Sequence, residues 1–307
     1  MWKWLKIVEA HTSTRLYPLM AFKGTELVAL YPVFIQKKGF VSVAFSPPSH
    51  SYLLYLGPVI AQYDSMKQDK KESIYLHLQE EINRYLFSVL GCKYFRVRSS
   101  PGIYDSRPLM WTGFIVEPQY TYRINLSLGV DQIWNRFDRK LRVDLNKAKK
   151  EQVDVKQGGL EDLLFIADSL SRRFREQGFT PKNYVAYLTD LYHAFHPENL
   201  KIFVAYHNGE RIGGMVSLCF KRIMYLWIGI SKSDNPGLSP NDLVQWEAIQ
   251  WACHNGFDFY EEMDGGVRRL RGFKAKYNPD LEIWYSAVKY SSSFYQWIEN
   301  VSRLKRR

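Results

Sequence analysis

Apolar and polar positions along this chain fall into short alternating runs and longer runs of helical period. Residues 2–10 place apolar side chains at helical spacing and predict a helix. Two alternating runs, 17–22 and 27–36, flank Lys23-Gly24-Thr25 and predict a β-hairpin. The Ser46-Pro47-Pro48-Ser49 segment interrupts the pattern, and a further strand is expected at 52–60. Ile74, Leu78, Ile82, Tyr85, Leu86 and Val89 mark the buried stripe of a long helix over 65–90. Residues 93–98 then alternate apolar with basic side chains, Ser99-Ser100-Pro101-Gly102 ends that strand, and 114–116 with 120–126 add more strand.

A helix is expected over 130–152, with Ile133, Trp134, Phe137, Leu141, Leu145 and Ala148 on one face and basic residues on the others. Val153-Asp154-Val155 follows, then helices at 160–177 and 183–195. A hairpin pairs 202–206 with 211–220 around His207-Asn208-Gly209-Glu210, and 223–230 adds another strand. Helices and strands alternate without the regular crossover of a parallel barrel, so the fold class is α+β with mixed sheets.

The stretch from 238 to 285 carries most of the candidate chemistry. Ser239-Pro240-Asn241-Asp242 offers an N-cap and an early-turn acid to a helix bearing Leu243, Trp246, Ile249 and Trp251. Gly256 ends that helix, 257–260 has strand character, and a last strand is expected at 281–290. Between those strands Gly265-Gly266 precedes Arg268, Arg269, Arg271, Lys274 and Lys276, with Leu270, Phe273 and Tyr277 interleaved. Two readings stand. One is a solvated basic face over a short helix whose apolar residues pack inward. The other is an anion site, in which backbone amides after Gly-Gly and convergent cations hold a phosphate, a carboxylate or a developing oxyanion.

Composition narrows the partners. The 307 residues are 46% apolar and 16% aromatic, enough for two ordinary domains or one large one. No apolar run reaches the roughly 18 residues needed to span a bilayer, and the N-terminus lacks an apolar signal core, so a cytoplasmic protein is expected. The net charge of +11 points to an anionic partner: nucleic acid, a nucleotide, an anionic lipid headgroup or a phosphorylated substrate. It concentrates in 136–150, in Arg172-Arg173-Arg175, in 268–276 and in the tail Arg303-Leu304-Lys305-Arg306-Arg307. Lysines late in a helix also complement its dipole without any ligand. Cys92, Cys219 and Cys253 are widely spaced, which indicates neither a disulfide framework nor a metal site, and the seven histidines form no ligand pair.

The order of these motifs resembles the GNAT acyltransferase superfamily, and more closely its Fem-type branch of double-domain transferases, which includes BioF2-like acetyltransferase domains. The residues that carry the likeness are Asp138-Arg139-Lys140-Leu141-Arg142 with Asn146-Lys147-Ala148, then Phe203-Val204-Ala205-Tyr206 through Gly213-Gly214. Pro240-Asn241 with Trp246-Glu247-Ala248-Ile249 and the run from Arg269 to Pro279 complete it. The resemblance implies two GNAT-like domains, a degenerate one at 1–125 and a second at 126–307 that opens on the basic helix 130–152. By the same resemblance Phe273 and Lys274 lie in the cleft, Lys274 stabilises the carbonyl oxygen or anchors a phosphate, and Arg269 and Arg271 are further anchors. The co-substrate it implies is acyl-CoA or aminoacyl-tRNA, without a metal. Asn241, Trp246, Lys147, Lys149 and Lys150 are the other expected substrate-binding residues.

One departure bears on the donor. Acetyl-CoA-dependent relatives carry a glycine-rich loop whose amides cradle the pyrophosphate at a helix start. Here residues 231–241 hold a single glycine and two prolines, each without an amide proton. Acyl transfer to an amine also needs a proton acceptor, for which Glu261 and Glu262, and after them Glu247 and Asp264, are the candidates. Any of these acids can instead be a structural ion-pair partner of the neighbouring arginines. The expected activity is N-acyl or aminoacyl transfer to an amine of a cell-envelope or metabolite acceptor. The competing expectation is a GNAT-like protein without catalysis that binds RNA or another polyanion.

Overall fold

The computed structural model describes residues 1–176, 178, 183–230 and 236–304. The chain forms two compact units, Met1–Gln119 with Ile283–Arg307, and Tyr120–Glu282. The fold is mixed α+β, as the sequence pattern leads one to expect.

The first unit begins with α1 (Trp2–His11) and the hairpin β1 (Arg15–Lys23) and β2 (Glu26–Lys38). Gly24, at φ +62, makes the turn between them, a conformation that costs glycine little. Strand β3 (Val41–Ser46) pairs with β2, a strand the pattern of residues did not announce. The expected strand at 52–60 shrinks to β4 (Val59–Ile60) on β2. Prolines 47, 48 and 58 and the left-handed backbones of His50 and Tyr52 keep the segment before it from forming a ladder. Helix α2 (Gln68–Asn83) continues into a π-helical turn over Arg84–Val89. The wider turn rotates the last stripe position outward, so Val89 is exposed while Leu78, Ile82 and Leu86 are buried. Then come β5 (Tyr94–Arg98), which lies parallel to β3, the short α3 (Arg107–Trp111), and β6 (Ile115–Asn125), which runs on into the second unit. Tyr31, Val33, Phe95, Val97 and Leu86 centre this unit's core.

In the second unit the single expected helix at 130–152 is two, α4 (Val130–Arg136) and α5 (Arg139–Lys150). The break falls where Asp138 turns extended and its carboxylate accepts the Lys140 amide at 2.7 Å, capping α5. Next are β7 (Asp154–Gln157), α6 (Leu160–Glu176), α7 (Tyr184–Phe195), and the hairpin β8 (Leu200–His207) and β9 (Glu210–Phe220). Asn208 and Gly209, both at positive φ, make its two-residue turn. Strand β10 (Ile223–Gly229), α8 (Pro240–His254), β11 (Phe259–Glu261) and the one-turn α9 (Arg271–Lys274) follow. Within the unit the strand order is β6-β11-β10-β9-β8-β7, with β10 and β11 parallel and the other pairs antiparallel. Helix α8 is buried on most of its sides, with Leu243, Val244, Trp246, Ala248, Ile249 and Ala252 in the core.

The chain ends with β12 (Asp280–Tyr290) and α10 (Ser293–Leu304). Residues Ser286 to Tyr290 pair with β5, so the segment from 283 onward, expected in the C-terminal domain, completes the sheet of the first unit. Helix α10 keeps Tyr295 and Glu299 half-buried and leaves Phe294, Trp297 and Ile298 exposed. Among the described residues no helix is long and apolar enough to cross a membrane. The basic tail falls partly outside the described residues, as do 231–235 of the loop before α8.

Candidate active site

Parallel strands end on the same side of a sheet, and ligands of open α/β sheets bind outside those carboxyl ends. Strands β10 and β11 pair over three positions only, Ile223 with Phe259, Met224 with Tyr260 and Tyr225 with Glu261. Beyond Tyr225, β10 continues along β9 with an irregularity between Leu226 and Ile228. Strand β11 stops, and Met263 and Asp264 turn the chain away in left-handed conformations, at φ 41 and 50. The two strands therefore part at Tyr225 and Glu261.

The first turns of α8 reach both strand ends. Asn241 Nδ2 donates to the Ile230 carbonyl at 2.7 Å. Four residues on, and so on the same helix face, Gln245 Nε2 donates to Glu262 Oε1 at 2.7 Å. Glu262 is fully buried and its Oε2 has no hydrogen-bond partner. The buried Asn241 Oδ1 and Gln245 Oε1 also lack partners, so three acceptors face no donor at this end of the helix. Buried acceptors are normally satisfied, so each of these orphans asks for a water or a donor-bearing group.

Lys274 supplies the cation. It is 6% exposed, and its Nζ donates to the carbonyls of Glu262, at 2.5 Å, and Met263. The left-handed turn after Glu262 aims both carbonyls at α9. Two of the three ammonium protons are thus engaged. Burial disfavours charge on both groups of this pair. It pushes the Glu262 carboxyl up to about 8 against the attraction of Lys274, and draws the Lys274 ammonium down against the fields of Glu262 and Asp264.

Around the pair, Tyr277 is buried and its hydroxyl donates to Asp242 Oδ1 at 3.1 Å, while Lys276 Nζ lies 2.6 Å from the same oxygen. Desolvation holds the Tyr277 hydroxyl well above its ordinary value. Phe273 is half-buried, edge-on to Tyr277, with Lys276 Nζ 4.8 Å from its ring centroid. The short-helix reading of the basic turn describes this packing, and of the cations expected to converge on an anion only Lys274 turns fully inward, where it meets two backbone carbonyls. Phe273 and Tyr277 pack, and Arg269 and Arg271 are exposed.

The neighbouring acid has a different setting. Glu261 is also fully buried, but successive strand residues face opposite sides of a sheet. Its Oε2 pairs with Arg123 Nε at 2.9 Å and its Oε1 accepts from Thr121 Oγ1 at 3.2 Å. Trp246, expected at the substrate, lies in the core instead, 3% exposed and packed on Phe137 and Trp134 at 5.0 and 5.3 Å between ring centroids. A Trp at helical spacing within an apolar run fills the core because its large ring gains most there. Lys147, Lys149 and Lys150 are exposed on α5. Lys149 Nζ lies 3.5 Å from Glu247, and Lys147 Nζ stands 3.9 Å from where a side chain on Gly237 would begin. Ser239, expected to cap α8 with its hydroxyl, is left-handed and makes no side-chain cap. Its carbonyl accepts the amides of Asp242 and Leu243 at 3.1 and 3.2 Å, and Pro240 has no amide proton. This helix start offers few free amides to a phosphate.

Sequence reasoning passed over Gln245 and gave Asp242 and Tyr277 only structural roles. A glutamine inside an apolar helical run was the signal available for the first, since a buried amide needs partners. Burial pushes the Cys92 and Cys219 thiols up to about 11 and raises the Cys253 thiol, which disfavours their thiolates.

Residues 135–268, inside the second unit, match the family model of the acetyltransferase (GNAT) domain. No curated protein matches the chain. Among solved structures, FemX is similar at 13% identity and a TM-score of 0.69, over 92% of this chain and 90% of that one. L-PGS from Bacillus licheniformis gives 14% identity and a TM-score of 0.58 over 98% and 91%. A tandem GNAT protein from the clavulanic acid biosynthesis pathway gives 9% and 0.55 over 95% and 94%. At such identities the likeness is one of fold.

Proposed function

We propose that this chain, which carries a GNAT acetyltransferase domain at 135–268 and has the double-domain fold of the Fem type, is an N-acyltransferase. It moves an acyl or aminoacyl group from a phosphate-bearing donor to an amine. The observation that carries this reading is the enclosed Glu262, with Oε2 unpartnered, beside Lys274 where β10 and β11 separate.

In the reaction the amine nitrogen attacks the donor carbonyl and a C–N bond forms as the carbonyl π pair moves to oxygen. The third N–H of Lys274 is the donor nearest to hand for that oxyanion, in a site where a charge-assisted hydrogen bond is strong. The nitrogen then loses a proton to Glu262 Oε2, directly or through one water held by Asn241 Oδ1 and Gln245 Oε1. Collapse expels the donor's thiolate or alkoxide, which takes that proton. A carboxylate raised to about 8 is a stronger base than an exposed one and suits a nitrogen proton. Glu261 serves by holding Arg123. Arg269, Arg271 and Phe273 contact the substrates from the exposed side of the basic turn.

With few amides free at the α8 start, donor phosphates lie along Lys147, Lys149 and Lys150 of α5. Acyl-CoA and aminoacyl-tRNA both fit that description, and the assay separates them. The purified chain is incubated with an amine panel and either acyl-CoAs or aminoacyl-tRNA, and products are read by mass spectrometry. Transfer that Lys274→Met and Glu262→Gln abolish in folded protein is the expected result. Transfer indifferent to both substitutions would sink the assignment. Salt-dependent tRNA binding with no transfer from any donor would turn the reading to a polyanion-binding protein.

A further inference from the structure

The first unit, expected as a degenerate partner, contains a built site of its own. Alternate residues of β5 face opposite sides of the sheet. Phe95 and Val97 enter the core, and Arg96 and Arg98 occupy the other face. There they line a cavity of about 220 Å³ with Trp284 and Ser286 of β12 and Gln119 of β6.

Its hydrogen bonding is incomplete in one sense only. Trp284 is 4% exposed, held edge-on by Tyr55 at 6.0 Å, and its indole Nε1–H has no acceptor. The buried Arg96 Nε–H has none either, although its Nη2 donates to Ser49 Oγ at 3.0 Å and the guanidinium sits 5.2 Å from the Phe45 ring. Arg98 Nη1 contacts the Leu54 carbonyl at 3.5 Å. Glu117 is the acid of the lining, and it is exposed. Two enclosed donors without acceptors, the Trp284 indole and the Nε–H of the Arg96 guanidinium, with the Arg98 guanidinium beside them, constitute a demand for an acceptor-only ligand. Guanidinium forks match the paired oxygens of carboxylate and phosphate. The cavity has room for such a group and a few atoms beyond it, but not for a whole nucleotide.

We propose that this cavity binds the carboxylate or phosphate of a substrate anion, with Arg96 and Arg98 holding its oxygens and the Trp284 indole N–H donating to one of them. The site is built from the first unit alone and stands or falls apart from the catalytic reading of Glu262 and Lys274.

The test follows the indole N–H signals of the nine tryptophans by nitrogen-15 NMR, with Trp284→Phe assigning the one of interest. Full-length protein is titrated with inorganic phosphate, with acetate, and with sodium chloride at matched ionic strength. The expected result is a saturable shift of the Trp284 signal with phosphate or acetate and none with chloride. The stronger of the two names the group. Arg98→Gln and Arg96→Gln should weaken that response at least tenfold, with the other indole signals in place as evidence of folding. Arg96→Lys, which keeps charge but loses the Nε donor, should fall between and covers the case in which a glutamine variant does not fold. A silent Trp284 signal, a response equal to that of chloride, or one unchanged in every arginine variant would overturn the proposal.

Discussion

Each unit contains a parallel strand pair with a long helix in the connection, and the two pairs are dressed in opposite ways. In the first, β3 and β5 pair from Val43 with Tyr94 to Ser46 with Val97, α2 lies between them in sequence, and Arg96 and Arg98 line a cavity where two buried donors have no acceptor. In the second, β10 and β11 pair over three positions, α8 lies between them, and the chain beyond the strand end buries Glu262 with one carboxylate oxygen that has no donor. The backbone pattern recurs while the chemistry inverts. A fold of this kind sets where a ligand group can sit, and the side chains at a few alternate positions set which charge it must have.

The contrast can be broken first at Glu262. Glu262→Gln keeps shape and the Gln245 contact but removes the base, and a loss of roughly 10²–10⁴-fold in acyl transfer is expected. Wild-type activity should rise with pH through about 8 as the carboxyl ionises, and the variant should lack that inflection. Retained activity would mean that Glu262 is only structural. Lys274→Met should cost roughly 10²–10³-fold in turnover, if its free N–H meets the oxyanion. A circular-dichroism melt would separate that effect from the loss of its two carbonyl contacts.

Arg123→Gln sharpens the comparison within β11 itself. It leaves Glu261 buried without its cation, a change that costs about 3–5 kcal/mol. Chemical denaturation should show that loss while transfer per folded molecule stays near wild type. A large drop in turnover of folded protein would assign Glu261 to the chemistry instead.

The pH dependence of stability tests the burial of Glu262 without any substrate. Its folded-state value of about 8 exceeds the ordinary 4.5, so between these limits the folded chain holds a proton that the unfolded chain has released. Stability from this group therefore falls as pH rises from about 4.5 to about 8, and Glu262→Gln should flatten that part of the curve. Lys274 acts in the opposite sense at higher pH, because its lowered value makes the unfolded chain the better proton binder up to 10.5. The smallest expected effect is at Asp138. Asp138→Ala removes the cap of α5 and should cost about 1 kcal/mol in a thermal melt, with no change in donor specificity.

Local pattern was enough for much of the fold. The β1–β2 hairpin, α8 with its glycine stop, and the β8–β9 turn at Asn208-Gly209 each follow from period and turn chemistry within a dozen residues. It failed where neighbours in space overrode it. The helix over 130–152 divides because the Asp138 amide bonds the Lys276 carbonyl, far along the chain, as its carboxylate caps the next helix. Strand β3 has a near partner in β2 across a short turn, and its second partner, β5, follows some fifty positions later, a pairing no local pattern shows. In the site, Lys274 was marked by the likeness to GNAT-type transferases, and the Glu261-Glu262 pair as acids directly before the basic turn. The division of labour between the two acids was not visible, since adjacent residues have nearly the same local sequence environment.

The sequence by itself determined the α+β class, the likeness to GNAT-type transferases, and the number and order of the charged residues along the chain. Only the tertiary structure decided which charges are enclosed, which are paired and which orphaned. It set Trp246 in the core, gave Arg123 to Glu261, left Glu262 with Lys274, and brought Trp284 beside Arg96 and Arg98. The physical reason is that desolvation and hydrogen bonding depend on what is folded against a group, and those partners lie tens to hundreds of residues away along the chain.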